Sequence, residues 1–218
     1  MKDFCVKDVV RAVGGSLLCG DENVQIDNFA SNSGKAGPGL MFAPIVGEHV
    51  DGHKYIESAF DCGASASLTQ NEEAVAGLID KWRSLGIQPK PIVLVEDSVR
   101  AMQLTAKEYE SRLSLNKVGV TGSVGKTTTK EMIACALSGG LKVFKTAGNA
   151  NSQIGVPVTI MNIAPDDEAA VIEMGMSEKG EMRRLATLLS LNAAVMTNIG
   201  VSHRSEEHTS ELQSPMYL

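Results

Sequence analysis

The sequence predicts an α/β protein, in which a small mixed α/β N-terminal domain precedes an incomplete domain built on a parallel sheet. Three observations support this prediction. From residue 116 onward, short apolar runs typical of buried strands alternate with helical patterns. One of these runs leads through a glycine-rich turn directly into a helix. Polar residues follow several of the strands, at the edge where such sheets place their chemistry.

The first part of the chain, residues 1–115, has mixed α/β character, with helical patterns and apolar runs separated by glycine- and proline-rich turns. The predicted helices are Val6–Val13, Tyr55–Phe60, Glu72–Leu85 and one that is capped by Asp97 or Ser98; the predicted strands are Val24–Ile26, Leu40–Pro44, Ala64–Leu68 and Pro91–Val95. Apolar residues of the last helix recur on one face, which predicts that it packs on a core and leads into the second domain.

The second part, residues 116–203, is the predicted parallel-sheet domain. The expected strands are Val118–Val120, Leu141–Phe144, Ala169–Glu173 and Ala193–Thr197, and the expected helices are Lys130–Leu137, Ser152–Met161 and Glu181–Leu189. The remaining segment, Arg204–Leu218, is polar and has neither a helical nor a strand period. We expect it to be an unstructured, artefactual tail resembling a translated sequencing adaptor; a genuine disordered tail is the alternative.

Composition excludes several classes of protein. A formal net charge of −6 argues against a nucleic-acid or anionic-membrane partner. The N-terminus has charges where a signal peptide needs an apolar core, and no run reaches the roughly 18 apolar residues of a membrane span. The four cysteines show no C-x-x-C spacing and are interpreted as reduced thiols. We therefore expect a cytoplasmic protein without membrane insertion. A monomer is expected as well, although the composition does not bear on the oligomeric state.

The most specific motif is the glycine-rich segment Lys117–Thr129, which lies between a predicted strand and a predicted helix. It ends in Gly-Lys-Thr, as phosphate-binding loops do, although Val120 stands where the general pattern has its first glycine. Backbone N–H groups and the helix N-terminus would bind phosphate, Lys126 would face the β- and γ-phosphates, and the Thr127 hydroxyl would ligate Mg²⁺. The alternative is a plain connecting turn. The predicted nucleotide-binding residues are Gly122, Ser123, Val124, Gly125, Lys126, Thr127 and Thr128.

Polar residues after the other strands complete the candidate site. Asn149 and Asn151 lie in a loop before a helix whose start Ser152 would cap, and they could equally serve only that loop. Glu173 ends a buried apolar strand, where a carboxylate commonly holds Mg²⁺, although a lone glutamate there is more often a helix cap. His203 follows the polar segment after the last strand and could be structural or solvated instead.

Together these motifs resemble the Mur ligases of bacterial peptidoglycan synthesis. The segments that carry the resemblance are Gly119–Met132, Lys145–Pro157, Glu173–Glu181, Thr197–His203 and, in the N-terminal part, Gly39–His53. The resemblance implies a UDP-sugar-binding domain over residues 1–115 and a truncated ATP-binding central domain over residues 116–203. The N-terminal motif argues against one alternative, a generic P-loop kinase or NTPase. A non-catalytic nucleotide-binding fragment stays open as the other alternative.

The resemblance also implies residue roles, with ATP and Mg²⁺ as cofactors. The implied catalytic residues are Lys126, Glu173 and His203; the implied metal ligands are Thr127, Glu173 and His203; the implied substrate-binding residues are Asn149, Asn151, Ser31, Ser33 and His53. Two positions depart from the family pattern. Ser152 replaces a second consecutive asparagine, and Ser31-Asn-Ser33 replaces a common Asp-Ser-Arg, which weakens the substrate assignments there.

The implied reaction is formation of an amide bond by way of an acyl phosphate. ATP phosphorylates the terminal carboxylate of UDP-N-acetylmuramoyl-tripeptide, and the amine of D-alanyl-D-alanine then attacks the acyl phosphate. Family members are about twice as long and continue past the position of His203 with a carbamylated lysine, an adenine site and a C-terminal domain. The resemblance therefore leads us to expect that this chain, as written, is an inactive part of such a ligase.

Overall fold

The computed structural model describes residues 3–47, 49–176 and 180–200. The chain divides into two compact units, residues 1–109 and residues 110–218. The α/β fold class is confirmed, with parallel strands in both units. The roles predicted for the two parts of the chain are not tested by this division and stay predictions.

The first unit contains a five-stranded sheet of order β1-β5-β4-β3-β2, in which β1 alone runs antiparallel to its neighbour. Its elements in chain order are α1 (Val6–Val13), β1 (Ser16–Cys19), β2 (Asn28–Ala30), β3 (Leu40–Phe42), α2 (Ile56–Asp61), β4 (Ala66–Thr69), α3 (Glu73–Ser84), β5 (Ile92–Leu94) and α4 (Ser98–Glu110). Phe60 and Trp82 meet edge to face in the core, with ring centroids 5.2 Å apart. This packing joins α2 to α3.

The predicted strand Val24–Ile26 is wrong. Only Gln25 makes a single bridge, to Cys5. The strands that the sheet uses on either side of it, β1 and β2, were not predicted. Both are short, and the burial along β1 does not alternate, so neither shows the period that marks a strand. Farther along, the predicted helix cap is Asp97 rather than Ser98, because the Asp97 carboxylate accepts the Arg100 N–H at 2.6 Å.

The second unit contains a four-stranded, all-parallel sheet of order β7-β8-β6-β9. Its elements in chain order are β6 (Asn116–Thr121), α5 (Lys126–Leu137), β7 (Val143–Lys145), α6 (Gly155–Met161), β8 (Ala169–Glu173), α7 (Glu181–Ala186) and β9 (Ala193–Met196). All five residues of β8 are buried, as expected of a central parallel strand. Since β6 and β8 are neighbours in register, Val120 pairs with Glu173. The carboxylate at the end of β8 is thereby placed beside the strand that leads into the phosphate loop.

Three helix boundaries in this unit differ from the predictions, and one of them is the end of α7, at Ala186 instead of Leu189. Helix α5 begins at Lys126 instead of Lys130, because the residues after Gly125 already form its first turn. Helix α6 begins at Gly155 instead of Ser152, and its N-cap is Ile154, so the predicted capping role of Ser152 is wrong. The Ser152 hydroxyl instead accepts the Gly155 N–H at 3.2 Å from the turn before the helix. Within the described parts of the chain, no helix has the length and apolar character that crossing a membrane requires.

Candidate functional site

The phosphate loop connects β6 to α5 and depends on two glycines. Gly122 has φ 132° and Gly125 has φ 84°, both in the region that favours glycine. A Cβ on Gly122 would lie 2.1 Å from the Thr197 hydroxyl oxygen, so this position also requires glycine for close approach to the segment that follows β9. Gly125 immediately precedes the first residue of α5. The loop therefore ends at a helix N-terminus, where backbone N–H groups favour anions.

Lys126 folds back over this loop. Its ammonium nitrogen donates to the Gly122 carbonyl oxygen at 2.7 Å and lies 3.4 Å from that of Ser123. The side chain is thus held beside the backbone groups that would bind a phosphate chain. Thr128, also predicted to contact nucleotide, is exposed on the first turn of α5. The structure brings all seven residues predicted to bind nucleotide into one loop and the first turn of one helix.

Glu173 accepts hydrogen bonds from two residues that were also predicted from the sequence to belong to the site. The Thr127 hydroxyl donates to one carboxylate oxygen at 3.1 Å, and the Asn151 amide donates to the other at 2.8 Å. Only 1% of Glu173 is exposed. Gly175 permits the approach of the asparagine, since a Cβ there would lie 2.9 Å from the Asn151 amide oxygen. The structure thus joins three predicted site residues from three different segments.

The residues present fit a magnesium ion. Mg²⁺ takes oxygen ligands at about 2.0–2.1 Å in octahedral geometry, so two adjacent ligand oxygens lie roughly 3 Å apart. The Thr127 hydroxyl and Glu173 carboxylate oxygens are separated by 3.1 Å. In the described residues there is no cluster of three or more His, Cys, Asp or Glu side chains, so water and phosphate oxygens would have to complete the coordination.

A buried lysine lies close to this carboxylate and was missed by the sequence reasoning. The Lys130 ammonium nitrogen is 3.7 Å from a Glu173 carboxylate oxygen and donates to the Thr146 carbonyl oxygen at 2.8 Å. The Thr146 hydroxyl in turn accepts the Glu173 backbone N–H at 2.9 Å. Helical spacing could have suggested this position, because Lys130 follows Lys126 by one turn.

The polar segment after β9 contacts the phosphate loop directly, and no role was assigned to it from sequence. The Asn198 side-chain oxygen accepts the Val124 N–H at 2.9 Å, and its carbonyl oxygen accepts the Ser123 N–H at 3.1 Å. The Thr197 hydroxyl donates to the Val124 carbonyl oxygen at 2.6 Å. These contacts tie the tip of the loop to the adjacent strand. The signal available in the sequence was a run of small polar residues at a strand end.

The other predicted residue of the asparagine loop, Asn149, is exposed, and its carbonyl oxygen accepts the Asn151 N–H at 2.8 Å. Nearby, Lys145 donates a hydrogen bond to Glu131. This bond, together with a second one from Lys130, lowers the pKa of Glu131 below its ordinary value. Both members of the Lys145–Glu131 pair are about half exposed, so solvent screens their interaction.

Three predicted substrate-binding residues lie in the first unit. His53 is buried, and both of its ring nitrogens are engaged: Nδ1 lies 2.5 Å from an Asp51 carboxylate oxygen, and Nε2 accepts the Gln70 N–H at 2.8 Å. Hydrogen bonds from the backbone and ring of His53 hold the pKa of Asp51 below its usual value. Ser31 is exposed after β2, and Ser33 begins a short 3₁₀ turn. Their assignment to substrate stays a prediction.

Two further expectations lie outside the described residues. His203, predicted to be catalytic and to ligate metal, lies in the range 201–218, beyond the described residues, as does the tail Arg204–Leu218. The metal role of His203 therefore remains a prediction, and the same holds for the unstructured character of the tail.

Comparison with known proteins identifies the family. Residues 120–212 match the Mur ligase middle domain. The chain is 40% identical over 205 residues to the UDP-N-acetylmuramoyl-tripeptide--D-alanyl-D-alanine ligase of Bacillus subtilis (strain 168). That match covers 92% of this chain and 42% of the relative. The chain therefore spans about two fifths of the length of this curated relative.

Solved structures agree with this match. The MurF ligase from Thermotoga maritima, in complex with ADP, is 33% identical with a TM-score of 0.66; the match covers 81% of this chain and 38% of that one. A MurF structure from Acinetobacter baumannii has a TM-score of 0.77 at 23% identity, covering 92% of this chain and 42% of that one, and supports the fold alone. With the phosphate loop, the Thr127–Glu173–Asn151 contacts and these matches in agreement, the chain belongs to the Mur ligase family.

Proposed function

We propose that this chain is the UDP-substrate- and ATP-binding part of a ligase that joins D-alanyl-D-alanine to UDP-N-acetylmuramoyl-tripeptide. The Bacillus subtilis relative is named for this reaction, and the Thermotoga maritima structure contains ADP. The observation in this chain that carries the proposal is the convergence of Thr127 and Asn151 on Glu173, beside the phosphate loop that holds Lys126.

The residues of the second unit would position ATP and stabilise charge. In phosphoryl transfer, catalysis comes mainly from positioning and from electrostatic stabilisation of the phosphate oxygens. The loop N–H groups and the Lys126 ammonium supply this stabilisation. Thr127 and Glu173 would hold Mg²⁺, which neutralises phosphate charge when it is bound. None of these side chains is required to form a covalent bond.

The acceptor of the phosphoryl group is the terminal carboxylate of the tripeptide. Its phosphorylation forms an acyl phosphate, and the amine of D-alanyl-D-alanine then attacks the acyl carbon and expels phosphate. Asn149 and Asn151 lie in the loop that precedes α6, and the Asn151 amide donates to Glu173 at 2.8 Å. We assign Asn151 to orient Glu173 and Asn149, whose side chain is exposed, to contact the substrate.

Recognition of the UDP moiety is assigned to the first unit. Ser31 follows β2 and Gln70, which binds His53, follows β4, so both positions lie at the carboxyl edge of the parallel strands, where α/β sheets bind ligands. Because both His53 ring nitrogens already have partners, we assign it to shaping this edge. All four cysteines are free thiols, in keeping with the reducing conditions of the cytoplasm, where ATP is available.

The test is ligand binding by the chain itself. Isothermal titration of ADP with Mg²⁺ should give a defined dissociation constant, and Lys126→Ala should weaken it roughly 100-fold, because a charge-assisted phosphate contact is lost. Lys142→Ala is the matched control, since Lys142 is exposed and paired with Asp166. We expect the control to bind ADP as the wild type does.

A second titration separates the ligase from other phosphate-loop proteins. UDP-N-acetylmuramoyl-tripeptide should bind the wild type and Lys126→Ala equally, because UDP recognition is assigned to the first unit. ADP binding without any binding of the UDP substrate would favour a generic NTPase or kinase. Unchanged ADP affinity in Lys126→Ala would contradict the phosphate-loop assignment.

A further inference from the structure

Lys130 is a buried lysine on the first turns of the helix that follows the phosphate loop. It lies one turn after Lys126, and only 1% of its surface is exposed. An ammonium group is strongly hydrated, so its burial is unfavourable unless counter-charges and hydrogen-bond acceptors surround it. The phosphate-loop motif does not account for Lys130, because Lys126 already supplies the charge for the phosphates.

The contacts of Lys130 divide between backbone and carboxylate oxygens. Its nitrogen lies 2.8 Å and 3.4 Å from the carbonyl oxygens of Thr146 and Gly148, which precede the asparagine loop. It lies 3.3 Å from a Glu131 oxygen and 3.7 Å from a Glu173 oxygen. These contacts connect α5 to the loop and to the end of β8.

The two carboxylates differ in how much they depend on this lysine. The Glu131 side chain is 46% exposed and is also paired with Lys145. The Glu173 side chain is 2% exposed, and the other groups bonded to it, the Thr127 hydroxyl and the Asn151 amide, are neutral. A buried carboxylate without a nearby positive charge is strongly unfavourable. The charge on Lys130 is therefore needed chiefly by Glu173.

We propose that Lys130 is a positioning residue that serves as the counter-charge of Glu173 in the metal-free site and lowers the affinity of that carboxylate for free Mg²⁺. The inference rests on the proposed nucleotide binding, with Thr127 and Glu173 facing the metal. The Lys130 nitrogen lies 3.7 Å from a Glu173 carboxylate oxygen, which is too far for a hydrogen bond. The carboxylate oxygens therefore remain available to other donors and to a metal. The positive charge also repels a second cation at this distance. Mg²⁺ consequently enters with the nucleotide phosphates rather than ahead of them.

The experiment compares Lys130→Met with a matched control, Lys117→Met. Lys117 is also buried and paired with a glutamate, Glu110, but it lies at the start of β6, away from the phosphate loop. Thermal unfolding midpoints are measured in EDTA and in 10 mM Mg²⁺ without nucleotide. We expect Mg²⁺ alone to raise the midpoint of Lys130→Met by about 3 °C or more, and that of the wild type and the control by about 1 °C or less.

A role that is only structural would lower the midpoint of both lysine variants without changing their response to Mg²⁺. Equal Mg²⁺ responses in Lys130→Met and the wild type would therefore overturn the inference. An apparent Mg²⁺ dissociation constant about tenfold lower in Lys130→Met, from titration without nucleotide, would support it.

A double variant covers the case in which Lys130→Met does not fold. In Lys130→Met/Glu173→Gln neither charge remains, so it should unfold at a higher temperature than Lys130→Met and should not respond to Mg²⁺ alone. A double variant that is no more stable than the single variant would overturn the counter-charge role. The proposed function fails separately, if the wild type does not bind ADP in the presence of Mg²⁺.

Discussion

Two buried lysine–glutamate pairs lie at opposite ends of the sheet in the second unit. At the start of β6, Lys117 and Glu110 are in direct contact at 2.6 Å, with side chains 6% and 4% exposed. At the end of β8, Lys130 and Glu173 are 3.7 Å apart, with side chains 1% and 2% exposed. The residue types and the burial are alike, but the distance between the charges is not.

The partners explain the difference. A Glu110 oxygen binds the Lys117 ammonium and accepts the Ser190 N–H at 2.9 Å, while Asn192 exchanges two hydrogen bonds with the Lys117 backbone. Within the second unit, these contacts connect Glu110, the start of β6 and the segment that precedes β9 in one closed network. The Glu173 carboxylate instead divides its oxygens between Thr127 and Asn151 and leaves Lys130 to bind carbonyl groups. The first pair is arranged for stability, and the second is arranged so that a ligand can join it.

The largest expected effect is the loss of stability when the Lys117–Glu110 pair is broken. Lys117→Met leaves the Glu110 charge buried without its cation, which typically destabilises a protein by about 3–5 kcal/mol. ADP affinity should not change, because the pair lies at the other end of β6. Urea unfolding and ADP titration measure the two quantities. A loss of stability below about 1 kcal/mol would show that the Lys117–Glu110 pair and the Lys130–Glu173 pair do not differ as proposed.

The next largest effect is expected on ADP affinity, at the contact between Thr127 and Glu173. Thr127→Val removes the hydroxyl that donates to Glu173 but keeps the β-branched shape. We expect the Mg²⁺-dependent part of ADP affinity to fall about tenfold, because one oxygen ligand is lost. Titration with and without Mg²⁺ separates this loss from any general weakening. Equal losses under both conditions would mean that Thr127 does not face the metal.

A smaller effect on ADP affinity is expected at Asn198, which contacts the phosphate loop. Its side chain accepts the Val124 N–H, a donor that a bound phosphate would also use. Asn198→Ala releases this donor, and we expect ADP affinity to rise about threefold, within the range of one net hydrogen bond. A fall in ADP affinity would show that Asn198 shapes the loop for phosphate instead of competing with it.

The smallest effect is expected for the exposed Lys145–Glu131 pair, which gives the solvent-screened reference for the two buried pairs. Its hydrogen bond holds the pKa of Glu131 below the ordinary value. A lowered pKa means that the contribution to stability is present near neutral pH and is lost as the pH falls through the lowered pKa. Lys145→Ala should therefore unfold within about 1 °C of the wild type at pH 7 and show no difference in strong acid. A larger difference would mean that solvent does not screen this pair.

Short-range patterns in the sequence predicted much of the candidate site. The glycines, Lys126 and Thr127 lie next to one another in the chain, and Glu173 ends an apolar run that is typical of a buried strand. These features depend on local backbone geometry and on burial, both of which are encoded within a few residues. The alternation of strands and helices predicted the fold class for the same reason.

The tertiary structure decided what depends on residues distant in the chain. The pairing of β6 with β8, which places Val120 beside Glu173, cannot be obtained from either strand alone. The burial of Lys130 follows from the carbonyl groups and the carboxylate that surround it, and the contact of Asn198 with the phosphate loop follows from β9 lying next to β6. The sequence by itself determined which residues could bind phosphate. Which charges and hydrogen bonds hold those residues in place was decided by strand order and packing, because electrostatic and hydrogen-bond energies depend on distances between segments that are far apart in sequence.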